Sequence, residues 1–244
     1  MIHVMDRPHA APNKLYDLDH IRLCDGMAPA EMQEMERIVR VQKVKRRQLL
    51  YLPGDPSSNV YLLKQGRIKL TNTGASGKVV TLEILEPGEM FGELEALEEV
   101  PRETAAEALD NAMIGVIHWE DFSNYLAKHP NISMKLTKLI GLRLRHTQSR
   151  IEDLVCWNVP ARLAHLLCER SKSEESRGIR TKLTHQEMAN LIGCSRETVS
   201  TTLGRFRDQG LIRLKGRTVT IVNGKGSATL RCSICEGKSS ESTT

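Results

Sequence analysis

The sequence has no apolar run approaching the roughly 18 residues that a membrane-crossing helix needs. Its opening stretch, "MIHVMDRPHAAPNK", has no apolar core of a signal peptide. A cytoplasmic protein with no membrane partner is expected. Aromatic residues make up only 4% of the 244 residues, too few for the stacking platforms that hold single-stranded nucleic acid. The six cysteines, at positions 24, 156, 168, 194, 232 and 235, follow no disulfide-framework spacing, so thiols in a reducing compartment are expected. The eight histidines are scattered, and no Ser-His-Asp or metal-ligand spacing occurs. An enzyme needs a nucleophile, a base and a group that orients the base; the pattern therefore points away from catalysis.

Basic residues are scarce in one segment and dense in another. Between positions 81 and 110, ten acidic residues accompany a single basic one, Arg102. From Cys156 to Arg231, fourteen Lys and Arg stand against six Asp and Glu, a balance of +8 in a chain whose total is +5. The basic half is the candidate to meet nucleic acid. The isolated Arg102 raises its own question, and simple charge compensation by Glu103 or Glu99 is the plainest answer.

Residues 1–20 are polar and contain two prolines, which suits a mobile arm. From about Leu49 to Ile117, short β-type runs alternate with turn signals at Pro53-Gly54-Asp55, Gln65-Gly66, Gly74 to Gly77 and Pro87-Gly88. Spacing of about ten residues is that of a β-sandwich or barrel. Pro130 disfavours helix at His129 but fits the first turn of a new helix. Beyond it, Ile140, Leu144, Thr147, Ile151 and Leu154 recur with heptad spacing on one predicted long helix, which suits a seam with a second copy of the chain. The alternative is a helix lying on its own sheet. A further helix is predicted over Pro160 to Arg170, followed by the loop "SKSEESRG".

Thr184-His185-Gln186-Glu187 forms a capping box that opens a helix carrying Met188, Ala189, Leu191 and Ile192. Gly193 suits a left-handed turn, and Ser195 can cap a second helix from Arg196 to about Asp208. Two helices crossing at a tight turn, with Ala189 small at the crossing, give helix-turn-helix geometry. The exposed first turns of the second helix carry Arg196, Glu197, Ser200 and Thr201. Arg pairs with guanine O6 and N7, and Glu accepts from cytosine N4; a G·C-containing half-site is expected. Ser195, Thr198, Arg205, Arg207 and Lys215 are placed for phosphates, which position without specifying. "LIRLKGRTVTIV" reads as a hairpin wing turning at Lys215-Gly216.

"GCSRETVS" followed by "LGRFRDQGLI", behind a β-region with "YLPGD" and "FGELEAL" leading to Pro101-Arg102, resembles the CRP/FNR family of bacterial transcription regulators. The resemblance spans about residues 20–223. It implies an α+β chain: mobile arm 1–20, β jelly-roll effector domain 21–130, dimerisation helix 131–156, winged helix-turn-helix 157–225 and polar tail 226–244. It also implies a homodimer on a palindromic double-stranded promoter site and contact with RNA polymerase. Arg196 and Glu197 fall on family base-reading positions, while Thr201 replaces a base-contacting arginine.

In cyclic-nucleotide-binding members of that family, a Gly-Glu pair and an arginine hold the ribose and cyclic phosphate. Gly92, Glu93 and Arg102 match that cassette, with Leu94 between them; Glu103 departs from its small neighbour residue. Thr147 matches a purine-contacting threonine and Gln148 departs from its partner. A cyclic nucleotide therefore stays open as effector, as does a regulator needing none. An iron–sulfur cluster lacks its cysteines, since Cys24 stands alone near the N-terminus. Haem needs an axial His or Cys in the β-domain, where no His lies between His20 and His118 and no Cys between Cys24 and Cys156; His146 lies on the long helix. Cys232 and Cys235 offer half of a zinc site that nothing nearby completes. The tail is read as polar with incidental thiols, a redox pair or a metal shared across a dimer being the alternative.

Overall fold

A computed structural model describes residues 18, 20–74, 77, 79–172, 183–215 and 218–222. The chain divides into two units, between residues 142 and 143. Of the predicted mobile arm 1–20 only Leu18 and His20 are described, and Leu18 is buried in the first unit's core, so the arm cannot extend to it; the remainder of that arm, the Gly216 end of the wing turn and the tail with Cys232 and Cys235 lie outside the described residues.

The first unit begins with helix α1 (Pro29–Ile38) and continues through β1 (Arg40–Val44), β2 (Leu49–Tyr51), β3 (Asn59–Gln65), β4 (Ile68–Thr73), β5 (Val79–Leu85) and β6 (Met90–Phe91). A one-and-a-half-turn helix α2 (Glu93–Leu97) follows, then β7 (Ala105–Ala108), β8 (Ala112–His118) and α3 (Trp119–Lys128). Helix α4 (Pro130–Cys156) has its first half in this unit. The strands form two antiparallel four-stranded sheets, ordered β1-β8-β3-β6 and β2-β7-β4-β5. This is the sandwich expected from the turn spacing, and the jelly-roll that the family resemblance implies.

Strand β3 shows why the sandwich carries a helical layer. Its run Val60-Tyr61-Leu62-Leu63 is buried throughout, although successive side chains of a strand point to opposite faces. Both faces must therefore be covered. Tyr61 and Leu63 pack between the sheets with Phe91, Leu85 and Ile114, and Val60 and Leu62 pack outward against Met35, Phe122, Tyr125, Ile132 and Leu136 from the helices. Strand β1 was not expected from the sequence; it is an edge strand whose residues are mostly exposed, so it lacks the apolar alternation that announces a half-buried strand.

As Pro130 predicts, α3 stops before it and α4 starts on it, with His129 between them at φ −123° and ψ 77°. His129 Nε2 lies 2.6 Å from Glu34 Oε2. Glu31 accepts from the Ala28 amide and from Asn131 Nδ2, each at 2.8 Å. These bonds hold both carboxyls below the ordinary glutamate range: for Glu31 the Ala28 amide is the main cause, and for Glu34 the His129 hydrogen bond. A depressed folded pKa stabilises above the unfolded value, near 4.5, and that contribution is lost as pH falls through the folded pKa. Melting followed on the acid side of pH 4.5 should therefore fall more steeply for the wild type than for a Glu31→Gln/Glu34→Gln variant. Parallel curves for the two would contradict this assignment.

The second unit takes the rest of α4, then α5 (Val159–Lys172), α6 (His185–Ile192), α7 (Arg196–Asp208), β9 (Ile212–Lys215) and β10 (Thr218–Ile221). Its core is built from Leu163, Ala164, Leu167, Met188, Ala189, Val199, Leu203, Phe206, Ile212 and Val219, all buried. Ala189 is fully buried, as a tight helix crossing requires. Strands β9 and β10 pair antiparallel from Ile212↔Ile221 to Lys215↔Thr218, forming the predicted wing.

Candidate nucleic-acid interface and effector pocket

Local chemistry alone sets the two helices of the reader. The Glu187 amide donates to Thr184 Oγ1 at 3.1 Å, and the Thr184 amide donates to Glu187 Oε2 at 2.6 Å. The chain leaves α6 through Gly193 at φ 68°, where an added Cβ would lie 3.3 Å from Leu154 Cδ2; a side chain there would be strained by conformation and crowded as well. Ser195 Oγ then accepts from the Thr198 amide at 3.1 Å and lies 3.0 Å from Thr198 Oγ1. The hydroxyls of Ser195 and Thr198 thus serve the helix cap first. Arg150 of α4 donates to the Leu191 carbonyl near the end of α6 at 3.0 Å, tying the long helix to the reader.

Helix α7 buries Val199, Thr202, Leu203 and Phe206. The opposite face exposes Arg196, Glu197, Ser200, Thr201 and Arg205. Arg196, Glu197 and Arg205 make no side-chain ion pair among the described residues. Glu197 is held below the ordinary glutamate range, chiefly by its own backbone amide and then by the Ser195 hydroxyl, so it stays an acceptor. Arg207 is engaged by its neighbour: Nε donates to Asp208 Oδ1 at 2.9 Å. Thr201 Oγ1 donates to the Glu197 carbonyl at 3.0 Å, which turns its hydroxyl proton inward.

His185 is a participant that the sequence reading missed. Its Nδ1 lies 2.8 Å from Ser200 Oγ, while Ser200 Oγ donates to the Arg196 carbonyl at 3.0 Å. A hydroxyl has one proton. With that proton committed to Arg196, Ser200 accepts from His185, and the imidazole must carry its hydrogen on Nδ1. The first reader helix thereby reaches the exposed face of the second, a pairing between positions 15 residues apart in sequence.

In the first unit, Arg102 is buried, its side chain 1% exposed. Its Nη1 donates to the Gly92 carbonyl at 2.6 Å and Nη2 donates to the Asn59 carbonyl. Its guanidinium carbon stands 4.5 Å from the centre of the Tyr51 ring and 5.8 Å from that of Tyr61, a cation–π arrangement. Burial pushes both phenols upward in pKa, so neither supplies an anion. Gly92 has φ 76°, and a Cβ on it would lie 3.0 Å from Arg102 Nη1 and from Tyr61 Cδ2; only glycine fits against the seated arginine.

The carboxylate at Arg102 is neither Glu103 nor Glu99, both of which are exposed. It is Glu95, with Oε2 3.4 Å from Nη1. Glu93 is 2% exposed and Leu94 is 45% exposed. Thr147 and Gln148 belong to the second unit and are exposed on α4, with Thr147 Oγ1 donating to the Arg143 carbonyl at 3.0 Å.

The predicted seam of α4 splits. Ile140 is half-buried against the first unit's own core. Leu144, Ile151 and Leu154 are exposed at 58%, 57% and 49%, and Val155, absent from the predicted stripe, at 80%. The same spacing covers two different situations, a residue packed on the first unit's own core and an open face.

Residues 41–129 match the family model described as cyclic nucleotide-binding domain, and residues 161–226 match the Crp-like helix-turn-helix domain. The chain is 29% identical over 201 residues to the CRP-like cAMP-activated global transcriptional regulator of Mycobacterium tuberculosis, covering 80% of this chain and 90% of that one. It is 29% identical over 199 residues to the cyclic AMP receptor protein of Thermus thermophilus, covering 82% and 91%. Among solved structures, the c-di-GMP responsive global regulator CLP of Xanthomonas campestris superposes with a TM-score of 0.69 at 22% identity, over 80% of this chain and 100% of that one.

Proposed function

The chain belongs to the CRP/FNR family of DNA-binding transcription regulators, and from that premise we propose that it works as a cytoplasmic homodimer on an inverted-repeat promoter site. Each protomer sets α7 into a major groove, and α4 pairs with α4 of the second copy. The observation that carries this reading is the face of α7: Arg196 and Glu197 are exposed there and carry no side-chain ion pair among the described residues, while the opposite face is packed through Val199, Thr202, Leu203 and Phe206. Two-fold symmetry of the protein then requires two-fold symmetry of the site. Ser200 and Thr201 complete the reading face, and Ser195, Thr198, Arg205, Arg207 and Lys215 contact phosphates. By family resemblance, the DNA-bound dimer contacts RNA polymerase.

The open stripe of Leu144, Ile151, Leu154 and Val155 on α4 supports the dimer, since an apolar stripe at heptad spacing stabilises a partner helix. The β-domain is the unit through which control is exerted. The M. tuberculosis and T. thermophilus relatives are named for cyclic AMP and the X. campestris one for cyclic di-GMP, so related chains answer to different nucleotides.

Ile151→Asp places a charge at the centre of the seam. Sedimentation should show the wild type as a dimer and the variant as a monomer. Operator affinity should fall by about 10²- to 10⁴-fold as the second half-site contact is lost. A wild type that sediments as a monomer, with affinity unchanged by the substitution, would overturn the proposal.

A further inference from the structure

The geometry points to Glu95 as a built-in counter-ion for Arg102, one that stands where an anionic effector would have to go and makes the β-domain reject cyclic nucleotides. The inference rests on the regulator reading above and names how its control site is set. An arginine recognises a phosphate through two parallel N–H bonds from its fork. In Arg102 both terminal nitrogens are already engaged, Nη1 by the Gly92 carbonyl and the Glu95 carboxylate and Nη2 by the Asn59 carbonyl. The Nε–H has no hydrogen-bond acceptor among the described residues, and an anion that approached it would meet a guanidinium whose countercharge, Glu95, is already in place.

Glu95 is itself tied down. Thr104 Oγ1 donates to its Oε1 at 3.2 Å, and its backbone carbonyl accepts from the Val100 amide at 3.1 Å and lies 3.2 Å from Ser57 Oγ. Ser57 Oγ donates to the Val100 carbonyl at 2.6 Å. The loops on either side are stitched by Arg102 through its backbone: its amide donates to the Asp55 carbonyl at 2.9 Å, and its carbonyl accepts from the Gly54 amide at 2.8 Å. An incoming anion would have to displace this carboxylate or share the guanidinium with it. It would do so in a segment, residues 86–107, with eight glutamates and one basic residue, where like charge opposes it.

The consequence is regulatory. A chain whose Arg102 has its countercharge built in needs no cyclic phosphate to order this region, and it reads its operator without one. Glu95 is a positioning and excluding residue: it acts through Arg102.

The test is calorimetric titration of the full-length wild type, Glu95→Gln and Glu95→Ala with cyclic AMP, cyclic GMP and cyclic di-GMP, alongside operator binding without nucleotide. The wild type should show no saturable binding up to about 1 mM. Glu95→Gln keeps the volume and removes the charge; Glu95→Ala also opens space. At least one of the three nucleotides should bind Glu95→Ala at least about tenfold more tightly than the wild type, with Glu95→Gln between them. Circular dichroism confirms that each variant is folded, and the wild-type titration stands even where one is not.

Micromolar binding of any of the three by the wild type, or folded variants that gain no affinity, would overturn the inference. Wild-type protein that binds no operator with or without nucleotide would instead contradict the regulator reading, and the titrations would still decide the role of Glu95.

Discussion

Replacing Arg102 with alanine lowers the stability of the ligand-free protein by about 3 to 5 kcal/mol, the range found when one member of a buried charged pair is removed. The reason is what the guanidinium holds. Without it, the buried carbonyl of Gly92 loses its 2.6 Å donor and that of Asn59 loses its own. Glu95, whose side chain is 13% exposed, loses its countercharge, and the rings of Tyr51 and Tyr61 face a void. Unsatisfied buried acceptors each cost about 1 to 3 kcal/mol, consistent with the total. Arg102→Lys keeps the charge but cannot reach both carbonyls with a fork, so it should fall between. Urea denaturation without ligand is the measurement. An arginine reserved for an effector would be dispensable in the ligand-free protein, and a loss below about 1 kcal/mol would show that it is.

Arg196→Ala weakens binding to the selected operator by about 1 to 3 kcal/mol, roughly tenfold to a hundredfold, and relaxes the preference at one G·C pair. Non-specific affinity at the same salt concentration should change much less. Arg205→Ala is the contrasting case. It should weaken binding to all sequences alike and reduce the salt dependence by about one counterion. Equilibrium anisotropy on cognate and scrambled duplexes at several salt concentrations separates the two. Equal losses on both duplexes for Arg196→Ala would move that residue from base reading to phosphate contact.

The reader was legible in the sequence because its signals are local. A capping box, a left-handed glycine and a second cap within about a dozen residues mark two helices and the turn between them, and each capping bond forms in the structure. The surroundings of Arg102 were only half legible. Gly92 and Arg102 stand out, one by residue type and one by isolation, but which of six glutamates between positions 91 and 107 meets the arginine depends on how α2 turns. The helix brings Glu95 toward the core and leaves Glu98 and Glu99 outside, and composition carries no trace of that choice.

The long helix teaches the same point in another form. Heptad spacing reports an apolar stripe without saying what covers it: Ile140 packs on its own unit's core while Ile151 is open. His185 was invisible for a simpler reason. Its partner is set by the crossing of two helices, and the residue sits in a capping box that already explained its position.

The most direct test of the whole account is selection of binding sites from random duplex DNA by wild-type protein stripped of nucleotide. The expected product is an inverted repeat whose half-sites lie one helical turn, about 34–36 Å, apart, each with a G·C pair whose preference is lost in Arg196→Ala. Recovery of single half-sites, or of a repeat only when a cyclic nucleotide is added, would contradict it.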